Sequence, residues 1–313
     1  MSALATAATG PWAEAPEAKA RIVSRWAVAP AGGDAGLGLE FSLLPGWHVY
    51  WKNSGDAGYP PELELAQDAG LGATTLRYPA PHRFELPGDL VAFGYEGEVV
   101  YPIDAAVAAD ATGTLALSGR LDYLVCREEC IPYTADLALE LPMGDAAEDP
   151  ERAPALDAWR ARLPIAPGDA QPPVLVTMDW HAGEYPWSTF ELRLAAPGLS
   201  ASAPDLFFAP QEWVELRRPE LVATAAGPTF RVPVRALDET KPLPEPLALE
   251  WTATGFELGG APLALSGTTS LSPVAAASRA KLYWILALAS LAALLALARK
   301  LNPRQPRRSG VPT

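Results

Sequence analysis

Leu121-Asp122-Tyr123-Leu124-Val125-Cys126-Arg127-Glu128-Glu129-Cys130-Ile131-Pro132-Tyr133-Thr134-Ala135-Asp136-Leu137-Ala138-Leu139 reads as strand, turn and strand. β-rich, alternating text lies on both sides, so Cys126 and Cys130 bracket a tight turn and stand close enough to bridge. They are the only 2 cysteines in 313 residues. A small secreted scaffold stapled by disulfides needs more of them. Two close cysteines in a large chain instead pose a local choice between a staple, a metal site and a redox pair.

Outward from that hairpin the text stays β-like. The chain holds 33 prolines and 25 glycines, too many for a helical bundle, because proline breaks helix interiors and glycine weakens them. Residues 22–26, 38–43, 99–103, 115–125 and 135–141 carry period-two or β-rich patterning. Asp149-Pro150-Glu151 then reads as a helix start, with Leu156, Trp159 and Leu163 following at helical spacing. Strands resume near Val174 and run to about residue 271. The two halves read as copies: Ala80-Pro81-His82-Arg83-Phe84 returns as Ala209-Pro210-Gln211-Glu212-Trp213, Leu90-Val91 as Leu221-Val222, and Val100-Tyr101-Pro102 as Arg231-Val232-Pro233. The second copy has no counterpart of Cys126 and Cys130 and lacks most of 52–71. The expected architecture is all-β: two tandem immunoglobulin-like β-sandwiches at 20–142 and 170–272, joined by a linker helix at 149–165.

The ends carry address signals. Residues 282–298 (LYWILALASLAALLALA) are uncharged and, at ~1.5 Å per residue, span about 26 Å, near the lower limit for crossing a bilayer core of roughly 30 Å. Tyr283 and Trp284 stand at its start, and Arg299, Lys300, Arg304, Arg307 and Arg308 follow it. The reading is one C-terminal transmembrane helix with a basic cytoplasmic tail at 299–313. The formal charge is −13, so the acidic excess belongs to the body, which is expected outside the cytoplasm and repels nucleic acid. Residues 1–19 are expected to be disordered or a residual export segment. Met1–Gly10 has neither a basic nor an apolar signal region, although Ala5-Thr6-Ala7 resembles a cleavage end, so the true start is expected upstream.

Chemistry leaves three readings of the cysteine pair open. As a staple, a loop of about five residues gains only ~2 kcal/mol from chain entropy. As a Cu(I) site, two thiolates suit a soft ion, but supporting ligands are scarce: the histidines are His48, His82 and His181, and the methionines Met1, Met143 and Met178. As a redox pair, one thiolate attacks a disulfide and its neighbour resolves the mixed intermediate. Arg127 favours a thiolate, whereas Glu128 and Glu129 oppose it. No nucleotide loop, metalloprotease helix or serine triad is present in the sequence.

Four segments together resemble the N-terminal periplasmic domain of DsbD-type thiol:disulfide interchange proteins, in the form also found in ScsB proteins. They are Pro45-Gly46-Trp47-His48-Val49-Tyr50-Trp51-Lys52-Asn53 with Gly55-Asp56-Ala57-Gly58, then Tyr78-Pro79-Ala80-Pro81, then Phe93-Gly94-Tyr95-Glu96-Gly97-Glu98-Val99, then 121–132. They occur in the family's order and cover about 12–141. The resemblance implies an immunoglobulin-like domain that takes electrons from a membrane-embedded thiol donor and reduces exported thioredoxin-like or other disulfide proteins. Such a protein works in the periplasm at the bacterial inner membrane, needs no cofactor, and serves processes such as cytochrome c biogenesis or copper tolerance.

Carried over residue by residue, Cys126 and Cys130 match the redox pair. Phe93 and Tyr95 fall where the family has an aromatic cap loop, with Glu96, Tyr123 and Arg127 expected to line the site. Trp47, His48, Tyr50, Trp51, Asn53 and Asp56 belong to the first motif, where aromatics alternating on a strand also read as packing. Two departures stand out. The C-x3-C spacing is shorter than in the best-known members, and no third cysteine follows for a transmembrane redox domain. The chain is therefore expected to be an accessory module served by another polypeptide, or the front of a broken gene. A Cu(I)-handling module and a passive scaffold with a structural disulfide are the alternatives.

Overall fold

In the first half of the chain, period-two alternation produces two antiparallel sheets packed face to face. The computed structural model describes residues 8–66, 70–88, 90–181, 186–224 and 227–271. One sheet runs in the order Ala13–Glu14, Ala18–Ser24, Leu37–Leu43, Glu98–Asp104, Thr75–Leu76. The other runs Cys130–Pro142, Thr114–Cys126, His48–Gly55, Leu90–Glu96, His82–Leu86, and Glu62–Leu65 also pairs with Thr114–Cys126. Their inward residues interdigitate: Ile22, Leu39, Phe41 and Tyr101 from the first sheet meet Trp51, Leu121, Tyr123 and Val125 from the second, all almost fully buried.

The second half, among the described residues, also forms two antiparallel sheets, of five and three strands. Leu175–His181, Ser188–Ala195, Gly227–Ala236 and Val214–Leu216 form one sheet, with Glu220–Thr224 also on Gly227–Ala236. Leu199–Phe208, Leu247–Leu258 and Ala261–Leu271 form the other. A separate core of Phe190, Leu192, Phe230, Val232, Leu249 and Trp251 lies between them. The sequence echoes of Leu90 and Leu221 each lie on a strand, but Leu90–Glu96 pairs with His48–Gly55 and His82–Leu86 whereas Glu220–Thr224 pairs with Gly227–Ala236, so the two strands hold different positions.

Among the described residues one α-helix occurs, Arg152–Arg160. The Asp149 carboxylate accepts the N–H groups of Glu151 (3.0 Å) and Arg152 (2.9 Å), supplying acceptors at the helix start. Leu156 is buried against Val23 and Val100, while Arg152 pairs with Glu40 and Arg160 with Asp104. The helix thus lies on the outer face of the first sheet. The expected membrane helix at 282–298, the basic tail at 299–313 and residues 1–7 lie outside the described residues. Among the described residues no helix is long and apolar enough to cross a membrane.

The halves are joined by packing as well as by the chain. Phe207 of the second half is 1% exposed and belongs to the first half's core, its ring edge-on to Trp51 (5.9 Å) and Phe93 (5.1 Å). Arg83 grips Asp205 with two hydrogen bonds of 2.8 and 2.9 Å and lies over both Phe93 and Phe207. A fork-to-fork pair of this kind fixes orientation as well as charge. Asn53 donates to the Phe208 carbonyl at 2.7 Å, and Lys52 pairs with Glu250. Truncating a buried ring in such a core costs about 3–5 kcal/mol. Phe207→Ala is therefore expected to lower the urea midpoint of unfolding by that much stability; a loss below about 1 kcal/mol would show that the halves do not share this core.

Candidate functional site

The disulfide sits at the tip of the longest hairpin. Thr114–Cys126 and Cys130–Pro142 pair without a register shift from Thr114 opposite Pro142 to Cys126 opposite Cys130. The register therefore brings the two cysteines face to face, Cα–Cα 4.2 Å, and they are bonded. The exposed turn residues Arg127, Glu128 and Glu129 close the tip, with the Arg127 N–H donating to the Glu129 carbonyl at 3.2 Å. The two sulfurs live in different surroundings, because Cys126 is 1% exposed while Cys130 faces solvent.

Cys126 is buried because its strand has a neighbour on the other side. His48 is its partner across that ladder, and the next strand places Glu96 opposite His48 and Gly94 opposite Tyr50. Side chains alternate along a strand, so Leu124, Cys126, His48, Tyr50, Ala92, Phe84 and Leu86 share the outer face of the sheet. There Tyr50, Ala92, Leu124 and Cys126 form a small apolar cluster of their own, with Phe84 and Leu86 packed against it. Gly58 lets the following loop close over this cluster: at φ +94° a Cβ there would stand 2.2 Å from the Tyr50 ring.

Two polar side chains in the cluster are set by burial. Tyr50 donates its hydroxyl to Cys130 Sγ at 3.5 Å, and desolvation pushes its pKa up to about 12, so it stays a neutral donor. The Tyr101 hydroxyl, itself buried, holds the Tyr50 carbonyl at 2.8 Å and anchors that strand from beneath. His48 is 2% exposed, stacked on Phe84 (4.8 Å between centroids, 11°) and edge-on to Tyr50 (5.2 Å). Its Nε2 is buried with no hydrogen-bond partner, and desolvation lowers its pKa to about 4.

The remaining sequence-predicted residues divide by parity. Phe93, Tyr95, Tyr123 and Trp51 point to the opposite face, into the core between the sheets. Tyr95 donates to the Pro79 carbonyl at 2.6 Å, Tyr123 packs on Phe41 and Tyr133, and Phe93 and Trp51 meet Phe207. The rings beside the disulfide are instead Tyr50, His48 and Phe84. Glu96 is exposed on the disulfide face as the cross-strand partner of His48. Arg127 lies over the Trp47 ring at 5.3 Å, with its stem against Gly46. Asn53 reaches the second half, and Asp56 accepts the Val91 N–H at 2.8 Å, tying down the loop after the motif strand. Phe84, Leu86, Ala92 and Leu124 escaped the sequence reading; the alternation of His82, Phe84 and Leu86 was the signal for two of them.

Among the described residues no group of three or more His, Cys, Asp or Glu side chains is arranged to hold an ion. His82 is exposed on the end strand, and His181 lies beside Glu191 in the second half. Met143 and Met178 pack against the two separate cores.

This arrangement defines a class, an all-β protein whose hairpin tip carries a disulfide with one buried and one open sulfur. Residues 19–142 match the family described as thiol:disulfide interchange protein DsbD, N-terminal, and that segment is a domain of this type. Among solved structures, the N-terminal periplasmic domain of ScsB from Proteus mirabilis matches with a TM-score of 0.65 at 22% identity, covering 85% of this chain and 99% of that one. At that identity the likeness speaks for the fold, and it extends over both halves. The reduced N-terminal domain of DsbD from Neisseria meningitidis matches with a TM-score of only 0.25 at 14% identity, over 45% of this chain and 90% of that one. No curated protein matches the chain.

The burial of His48 has a consequence for stability. The folded imidazole stays neutral down to about pH 4, whereas an ordinary histidine takes up its proton near 6.5. Between these values the unfolded chain binds the extra proton. The neutral-His48 contribution is therefore complete above about pH 6.5 and is lost as pH falls toward 4, by on the order of 3 kcal/mol. Urea unfolding of the wild type and His48→Phe at pH 7 and pH 4 should show the variant losing less stability on acidification. Equal losses would mean that the imidazole protonates in the folded state as freely as in water.

Proposed function

We propose that the chain is a thiol–disulfide exchange module of the periplasm, passing electrons from a membrane-borne thiol donor to exported disulfide proteins through Cys126 and Cys130. The observation that carries this reading is the asymmetric disulfide at the hairpin tip, in a segment of the DsbD N-terminal type. The apolar segment at 282–298 anchors it in the inner membrane, with the basic tail inside. The units are 20–142 and 170–272, both immunoglobulin-like, with the second holding the first in place.

In the proposed cycle a donor dithiol transfers two electrons and two protons to the disulfide, leaving two thiols. Cys130, the open sulfur, attacks a partner disulfide as the thiolate; one partner sulfur leaves with its electron pair. Cys126 then attacks Cys130 Sγ, restoring the internal disulfide and releasing the second partner thiol. Tyr50 supports the first step, since its neutral hydroxyl donates to Cys130 Sγ and favours charge on that sulfur.

Two measurements test this. Equilibration of the full-length protein in glutathione or dithiothreitol buffers should give a Cys126–Cys130 potential above about −270 mV, within the range of exchange proteins; a value below about −300 mV would mark a structural staple. Cys126→Ser should accumulate mixed disulfides through Cys130, whereas Cys130→Ser should accumulate few. The reverse pattern would make the buried cysteine the attacker, and trapping by neither would end the exchange reading.

A further inference from the structure

We infer that His48 is the acid–base residue of the resolving step: its imidazole takes the proton of the Cys126 thiol as that sulfur attacks the mixed disulfide on Cys130. The inference rests on the exchange reading above and adds a residue to it. Cys126 is 1% exposed, so water does not reach its thiol freely, and a thiol must lose its proton to become the nucleophile. A group on the protein has to accept that proton.

His48 meets the requirement by position and by its unused atom. It stands directly opposite Cys126 in the ladder, a pairing that holds Cβ atoms roughly 5 Å apart. Its Nε2 is buried and bonded to nothing. A buried polar nitrogen without a partner is costly and needs an explanation, and a proton exchanged in only part of the cycle supplies one. Stacking on Phe84 and the edge contact with Tyr50 hold the ring in place. Burial keeps the imidazole neutral at physiological pH, so its lone pair is free until a thiolate forms beside it. That negative charge then favours the imidazolium.

The other ionisable groups around His48 do not serve. On its own strand Tyr50 is a donor with its pKa near 12, and it points at Cys130. On the neighbouring strand Glu96 is the exposed partner of His48 at the solvent rim. His82, on the end strand, is exposed and opposite Gly94. Arg127 at the hairpin tip lies over Trp47 and has no basic lone pair.

The Cys126 S–H bond breaks and its proton passes to His48. The Cys126 sulfur pair forms the bond to Cys130 Sγ, and the bond from Cys130 to the partner sulfur breaks with its electron pair on the partner. The imidazolium then gives its proton to that leaving thiolate. The cysteine pair is oxidised, the partner reduced, and His48 returns unchanged.

The test uses reduced full-length protein mixed with 5,5′-dithiobis(2-nitrobenzoate), whose thiolate is coloured. Attack by Cys130 releases a first thiolate at a rate set by reagent concentration. Resolution by Cys126 releases a second at a rate independent of it. His48→Phe keeps a ring to stack on Phe84 but has no base, and His48→Gln keeps a polar group without one; if the first does not fold, the second decides. Near pH 7 the second phase should slow roughly tenfold or more while the first stays within about twofold. The deficit should shrink above about pH 9, where thiols ionise unaided. An unchanged second phase, equal slowing of both phases, or a deficit constant with pH would overturn the role of His48. A wild-type protein that releases only the first thiolate would instead overturn the exchange reading itself.

Discussion

The register of one hairpin governs the site. Thr114–Cys126 and Cys130–Pro142 stay paired through 13 consecutive positions, and each pair fixes which face the next side chain takes. A slip of one residue anywhere along it would separate the cysteines and turn Leu117, Leu121, Tyr123 and Val125 out of the core. Those inward side chains penalise every alternative register. The disulfide geometry is therefore imposed by burial that begins far from the sulfurs, and the turn has only to close what the strands have already aligned.

The His48–Gly55 strand extends that logic to the whole molecule. Its outward residues, His48 and Tyr50, sit with the disulfide, while its inward Trp51 meets Phe207 of the second half. Toward its end Lys52 and Asn53 reach Glu250 and the Phe208 carbonyl. One eight-residue strand thus borders the reactive sulfurs at one end and the second half at the other. The dense aromatic motif reflects both demands, and packing and chemistry are not rival readings of it.

Much of this was legible in the sequence, for reasons that are local. The flanks of Cys126 and Cys130 alternate at period two, so a hairpin with facing cysteines follows from the text. Asp149-Pro150-Glu151 marks the helix start because capping chemistry acts within a few residues. The faces of the aromatic segment were less legible. Phe93 and Tyr95 share one parity, but parity alone does not say which side is the core; Glu96 and Gly94, of the other parity, are the ones turned toward the disulfide. Phe207 was invisible as a contact of Trp51 and Phe93, since nothing local announces a ring that enters a core built more than a hundred residues earlier. His48 read as part of a motif, and only the fold shows it opposite Cys126 with a bare nitrogen.

The His82–Leu86 strand ends its sheet, and the end of a sheet offers hydrogen-bonding groups to any passing chain. Here two of its five residues are tethered to the second half, Arg83 by Asp205 and Glu85 by Arg218. The junction between the halves therefore also anchors this end strand, through the side chains of Arg83 and Glu85. A protein made of the first half alone would retain its cysteines, yet it would free that end strand of both tethers and bare the apolar seat of Phe207.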